Sequence, residues 1–296
     1  MTTIYKGEQL CREKKKDDTT CSYVASYLYN GKHCCGYHSK KDTRKSLPEN
    51  PKKKELRKEE IEKHQFECSE IAKNNRKQKT KGQVICMKMK MMKSVEFITG
   101  YTNVFPNYKH LHRVDGIGVP SLSPKSIGPI DHKQPGLPIS LNLENFHQGN
   151  KVFENEVDSD GNPKQEFFDT QIQMYNDKHP HRHKQTSSGK NAPDYSIWVS
   201  QDGTKHKISY YMSRQFYCNY FERTSMINPD FINLLDKIKK GNNLRICGYD
   251  GYDVTQNIDE HYKDESRPFG HELVLYTMLT HEEKDYPWRK FKTFDF

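Results

Sequence analysis

Glu144, Gln148 and Lys151 stand at positions i, i+4 and i+7 of the stretch 143–153. If that stretch is a helix, the three side chains share one stripe. A carboxylate, an amide and an ammonium projecting together can grip a hydroxyl-rich or phosphate-bearing ligand and do acid–base work on it. Leu143, Phe146 and Phe153 fall on a neighbouring stripe that can anchor the helix in a core. Without that anchor the same three residues would make an ordinary solvated helix face.

A second constellation lies near the start of the chain. Cys11, Cys21, Cys35 and His38 read as C-x9-C-x13-C-x2-H. Thiolate and imidazole donors in fours are what a tetrahedral zinc ion takes, so structural zinc is the expected cofactor. The short step from Cys35 to His38 lets one turn supply two ligands. Cys34 offers a rival third ligand, at C-x12-C-x3-H spacing. A segment of about forty residues this polar has too little apolar surface to fold alone, and a metal would make up the difference.

These residues sit in a chain of 296 residues, of which 33% are hydrophobic and 29% charged. Residues 1–93 hold 24 Lys and Arg against 12 Asp and Glu. That segment therefore nets +12, while the whole chain nets +9. A basic first third joined to a near-neutral remainder favours contact with polyanions, nucleic acid above all. A solvated, lysine-rich arm is the plainer reading. Apolar runs are far shorter than the roughly 20 residues a membrane helix needs, so no membrane partner is expected. No apolar stretch follows the basic start, so no secretory signal is expected. An intracellular setting, cytoplasm or nucleus, follows, with the eight cysteines as thiols or metal ligands.

Three segments are expected: a zinc-binding module over 1–46, a charged helical or flexible linker over 47–83, and a globular domain over 84–296. The linker reads as helical or frayed, starting after Pro51. In the globular part, residues 84–92 alternate like a strand, 100–140 read as Pro- and Gly-rich loop, and 143–153 and 206–227 as helices. Pro229 to Lys240 is a third helix ended by Gly241. Leu244 to Gly248 is a short buried strand, and Glu272 to Leu279 a buried helix. The fold class is α+β, mainly helical.

The spacing of Glu144, Gln148, Lys151 and Phe153 resembles the E-x3-Q-x2-K-F signature of the NADAR superfamily, with Val152 in place of an aromatic residue. Later features keep a similar order. Arg214 lies on a helix, followed by the Asn228–Leu235 segment, a strand from Leu244, an aspartate-containing loop and a closing helix. Pro268-Phe-Gly-His-Glu272 stands where that family carries Trp-Gly and Gly-x-Asn-x-x-Gly segments. The resemblance spans about 95–290. Separately, Cys11, Thr20-Cys21 and Cys35-Gly-Tyr-His38 resemble a small zinc-binding module recurrent in large DNA viruses and some phages. That second likeness implies a viral or mobile-element setting, with host cytoplasm or virion as the place if it is viral.

The NADAR resemblance implies a mostly helical fold and cleavage of N-glycosidic bonds. Its substrates would be an ADP-ribosylated nucleobase or a ribosylated intermediate of riboflavin synthesis. Glu144 would stabilise the oxocarbenium-like ribose or act as general base. Gln148 would orient ribose hydroxyls. Lys151 would hold a phosphate or attack C1 of the ring-opened sugar. Arg214, Asp250, Asp253, His271 and Glu272 would bind substrate. As plain structure, Asp250 and Asp253 would be turn residues, and His271 and Glu272 a helix N-terminal pair. The basic stretch His179–His183 reads as an exposed loop near a phosphate. Tyr210, Tyr217 and their aromatic neighbours read as core first and a base-stacking wall second. The competing view of the chain is a non-enzymatic, nucleic-acid-binding scaffold.

Overall fold

The computed structural model describes residues 3–89, 95–183, 193–248, 253–254 and 256–292. The chain forms two compact units, Met1–His64 and Gln65–Phe296. Among the described residues there are eight α-helices and three small sheets. No helix among them is long and apolar enough to cross a membrane.

The first unit is built on a three-stranded antiparallel sheet. Strands β1 (Tyr27–Tyr29), β2 (Lys32–Cys34) and β3 (Lys45–Ser46) stand in the order β2-β1-β3. Asn30 and Gly31 join β1 to β2 with φ of +49° and +73°. That two-residue, doubly left-handed turn is the one Asn-Gly favours, and it matches the twist of the strands it connects. The buried cluster of this unit consists of Cys11, Cys21, Cys34 and Cys35. Helix α1 (Pro51–Lys77) follows. Asn50 Oδ1 caps it by accepting from the Lys52 N–H at 3.0 Å, and Pro51 supplies a preset first turn. The helix expected after Pro51 is therefore present. The division between the units falls inside it.

In the second unit, β4 (Val84–Lys88), β5 (Tyr101–Phe105), β6 (Ile117–Gly118) and β10 (Asn243–Gly248) form a parallel sheet in the order β4-β10-β5-β6. The central strand β10 is buried along almost its whole length, as a parallel strand covered on both faces must be. The remaining helices are α2 (Leu143–Gly149), α3 (Gln165–Asn176), α4 (Tyr210–Ser225), α5 (Pro229–Lys239), α6 (Ile258–Lys263), α7 (His271–Thr280) and α8 (Pro287–Lys290). A second small sheet, β7 (Lys151–Val152), β8 (Tyr195–Val199) and β9 (Lys205–Ile208), is antiparallel with β8 in the middle.

Helix α4 organises the core. It packs on α2, α7 and α8, and its Phe216, Cys218 and Phe221 are buried. The Phe216 ring stacks on Trp198 of β8 at 4.4 Å. Glu222 is buried on the same helix and accepts a hydrogen bond from Trp288 Nε1 at 2.7 Å and one from Arg289. Helix α7 packs against β4 and β10. Its start is thereby fixed beside the end of the parallel sheet.

Three readings of the sequence need correction. Helix 143–153 ends early, at Gly149, and Lys151 opens strand β7 instead. A Cβ at position 149 would lie 2.9 Å from the Tyr175 ring. Beyond it, Lys151 and the β-branched Val152 pair with Ser196 and Tyr195 of β8. The stretch 206–227 likewise divides into β9 and α4. Strand β5 lies inside the segment 100–140 that reads as loop.

Candidate functional site

A cleft of about 480 Å³ opens in the second unit. Its lining brings together Glu144, Gln148 and Lys151, Arg214 from α4, and His271 and Glu272 from the start of α7. The basic loop contributes His181 and Arg182, and the aromatic wall contributes Tyr108, Tyr210 and Tyr217.

Helix α2 is held firmly enough to aim its polar face. Asn142 Oδ1 caps it by accepting from the Asn145 N–H at 2.8 Å. Leu143 and Phe146 are buried in the main core. Asn145 Nδ2 donates to the carbonyls of Asp177 at 2.7 Å and His179 at 2.9 Å, while its Oδ1 accepts from the His181 N–H at 2.7 Å. One buried amide therefore fixes the basic loop against the helix. The end of α2 is held by His183, whose Nδ1 lies 3.2 Å from the Gln148 carbonyl and whose Nε2 lies 2.5 Å from Glu156 Oε1.

The three side chains first noted by spacing form a hydrogen-bonded row although they no longer share a helix. Gln148 Nε2 donates to Glu144 Oε1 at 3.2 Å, and Lys151 Nζ donates to Gln148 Oε1 at 3.3 Å. The Lys151 ammonium stands 5.3 Å from the centre of the Tyr210 ring. Burial pushes the Lys151 pKa down to about 8, with Glu144 opposing and Arg182 reinforcing the shift. Burial, and the charge of Lys151, push His147 well below its usual value. His147 is thus a neutral ring, packed edge-on against Tyr217 at 5.1 Å.

The lowered Lys151 sets a pH dependence of stability. Between about 8 and the ordinary lysine value of about 10.4, the unfolded chain binds more protons than the folded one. The unfolding free energy of the second unit is therefore expected to rise with pH across that window. Urea titrations at several pH values check this, and Lys151→Met should flatten the rise.

At the start of α7, Glu272 is almost wholly buried, yet its Oε2 has no hydrogen-bond partner among the described residues. That oxygen lies 3.2 Å from Nδ1 of His271, whose own Nε2 is buried and unpartnered as well. Buried polar atoms in native folds are nearly always satisfied, and the His271–Glu272 contact is the one polar partner the described residues give this carboxylate oxygen. Two glycines make the room. A Cβ on Gly248 would fall 2.0 Å from Glu272 Cγ, and one on Gly270 2.7 Å from its Oε2. Gly248→Ala is expected to force the carboxylate out of this seat. Overpacking of this kind costs about 1–3 kcal/mol. A drop in the urea midpoint of the second unit is the check.

Arg214 reaches the cleft but spends its guanidinium on the backbone. It donates to the Tyr262 carbonyl at 2.6 Å and to the Arg267 carbonyl. It thereby holds the segment leading to Pro268 and Gly270. Its Nε is buried without a partner among the described residues. Asp253 is not part of the cleft lining: its Oδ1 accepts the Lys88 N–H at 3.0 Å, finishing the edge strand β4. Asp250 lies outside the described residues. Asn107, Lys125 and His147 line the cleft with no warning in the sequence. None of them belongs to a spaced motif, and only the fold of the 100–140 segment brings the first two there.

The Cys and His set of the first unit assembles as its spacing predicts. One ligand atom from each of Cys11, Cys21, Cys35 and His38 lies within 4.8 Å of all the others. His38 Nδ1 is 3.3 Å from the sulfurs of both Cys11 and Cys35, and the sulfurs of Cys21 and Cys35 are 3.9 Å apart. Ligands about 2.0–2.3 Å from a tetrahedral ion stand about 3.5–3.8 Å from one another, so the edges of the cluster fit a single metal. Burial raises the Cys11 thiol, but hydrogen bonds from the Cys35 and Glu13 backbones and from His38 outweigh it and bring the pKa to about 7. Cys34 is buried on β2 and is not in the set.

No protein-family model, curated protein or solved structure matches this chain. The fold and the two sites define an α/β protein with a Cys/His metal-ligand cluster in one unit and a polar, cation-bearing cleft in the other.

Proposed function

We propose that the cleft belongs to an N-glycosidic bond hydrolase whose substrate carries ADP-ribose or ribose phosphate on a nucleobase or pyrimidine amine. The observation that carries this reading is the Glu144–Gln148–Lys151 row, lying in one cleft with the buried Glu272 and its neighbour His271. The same row supports the likeness to NADAR proteins that the spacing raised. Arg182 and Lys125 add positive charge for phosphate, and Tyr108, Tyr210 and Tyr217 offer faces to a base.

The chemistry follows from these groups. As the base departs, its bond to C1 breaks and the ribose becomes oxocarbenium-like. The Glu144 carboxylate stabilises that charge and accepts a proton from the water that adds to C1. The departing nitrogen is protonated from solvent or from the His271 side of the cleft. Gln148 orients ribose hydroxyls, and Glu272 accepts from another. Lys151, with a pKa near 8, is present as both ammonium and amine near neutral pH. As ammonium it holds a phosphate; as amine it can add to C1 of the ring-opened sugar, the C1–base bond then breaking as the base leaves protonated, and water hydrolysing the lysine imine to release the sugar and restore the amine.

For the first unit, three thiolates and one imidazole favour zinc over harder cations. It would be structural, because all four positions are taken by protein. A direct test of the cleft is calorimetric titration with ADP-ribose. Binding by the wild type that weakens at least tenfold in Lys151→Met supports the proposal. Absence of binding by a folded wild type would count against it.

A further inference from the structure

We infer that the first unit carries a binding surface for single-stranded nucleic acid, built on Tyr23 and Tyr37. Both tyrosines are mostly in water, 55% and 84% exposed, yet their rings stack on each other at 5.5 Å and 29°. Tyr37 thus shows one face to Tyr23 and leaves the other open. Each ring follows a metal ligand by two positions, Cys21 in one case and Cys35 in the other. The Tyr23 carbonyl accepts the Cys11 N–H at 2.7 Å. The ion that joins Cys11, Cys21 and Cys35 would therefore fix both rings as a pair.

The surroundings are positive. Lys40, Lys41, Arg44 and Lys45, against the one acid Asp42, follow Tyr37 within eight residues. Arg44 donates to the Gly36 carbonyl at 3.2 Å and covers the Tyr27 ring at 3.9 Å, which keeps its charge beside the turn that bears Tyr37. Lys40, Lys41 and Lys45 are exposed and make no ion pair among the described residues. Over residues 1–46 there are ten Lys and Arg and five Asp and Glu. An open aromatic face followed closely in the chain by exposed lysines, with Arg44 held at its turn, fits a strand whose bases are free to stack and whose phosphates run past the cations. A duplex hides its base faces, and an acidic peptide would leave the rings uncovered, so the charge and the stack together select a single strand.

This inference rests on the metal-filled module of the proposed function and not on the hydrolase reading, so the two fail separately. The test is fluorescence anisotropy of a labelled mixed-sequence single-stranded DNA 12-mer with the full, zinc-loaded chain. Metal content is measured on the same samples. Tyr37→Ala should weaken binding about fivefold to a hundredfold, the span expected for loss of one stacked base. Tyr37→Phe should keep wild-type affinity, and the matching duplex should bind more weakly than the strand. Equal affinity for Tyr37→Ala and the wild type, both with full metal content, would overturn the inference. So would a preference for duplex, or no binding by the wild type. If Tyr37→Ala loses its metal, Tyr23→Phe/Tyr37→Phe against Tyr23→Leu/Tyr37→Leu, both with metal retained, decides by the same criterion.

Discussion

Glu144→Gln is expected to lower turnover by about three orders of magnitude while the protein stays folded and still binds ADP-ribose. A positioned carboxylate working as general base contributes about 10²–10⁴ in rate. The substitution removes that charge and leaves the shape. Gln has the same length, and its amide oxygen can still accept from Gln148 Nε2, the bond that Glu144 Oε1 now receives at 3.2 Å. The carboxylate also sits in the first turn of α2, where a negative charge adds only about 0.3–1 kcal/mol of helix stability. Leu143, Phe146 and the Asn142 cap hold the helix in either case. Kinetics with a ribosylated nucleotide, beside calorimetric binding, separate the two effects. A variant with unchanged turnover would remove Glu144 from the chemistry.

Removing the metal is expected to unfold the first unit and leave the second intact. The buried cluster of the first unit is four cysteines, with little else than Ala25 and Leu47 buried around it. Without an ion the pair of strands β1 and β2 has almost no apolar core to rest on. Structural zinc in small domains contributes about 10–16 kcal/mol of apparent binding energy, which here would be folding energy. The second unit has a large separate core running through α4, α7 and the parallel sheet. In hydrogen exchange under chelation, the amides of β1 and β2 should lose protection and those of β10 should keep it. Cys35→Ser should behave like the chelated protein, and Cys34→Ser should not. Full protection of β1 and β2 without metal would show that the cysteines act only as buried apolar residues.

Much of this site was legible because its residues lie close along the chain. Glu144, Gln148 and Lys151 are spaced within eight positions, and the Cys35-to-His38 turn within four. Local spacing survives even a wrong element. Lys151 lies on β7 and not on the helix, yet its Nζ still meets Gln148. Helix α5 was readable from Pro229 at one end and Gly241 at the other, and α7 from its apolar run. The parallel sheet was not readable in the same way. Its strand β5 carries the buried Asn103, and β10 carries Arg245, whose guanidinium donates to the Glu96 carbonyl at 2.6 Å. Strands β4 and β10 were nonetheless read from their apolar residues, whereas β5 and β6 fell inside the segment read as loop, and which strands pair in parallel is set by long-range contacts that no local pattern encodes. Arg214 was read as a substrate contact; it lines the cleft, and two of its guanidinium nitrogens also donate to the backbone carbonyls of Tyr262 and Arg267. Such a use depends on where a distant loop passes, which spacing cannot show. The neighbourhood of Glu272 depends on Gly248 and Gly270 meeting it from two elements, and no local pattern encodes that meeting.

The most direct measurement is product release. The purified, zinc-loaded chain would be incubated with ADP-ribosylated DNA and with ribosylated pyrimidine phosphates, and the products separated by chromatography and mass spectrometry. Release of free ADP-ribose or ribose phosphate by the wild type, and not by Glu144→Gln, is the result expected of an N-glycosidic bond hydrolase. No release from either class of substrate by a folded, metal-loaded wild type would contradict it.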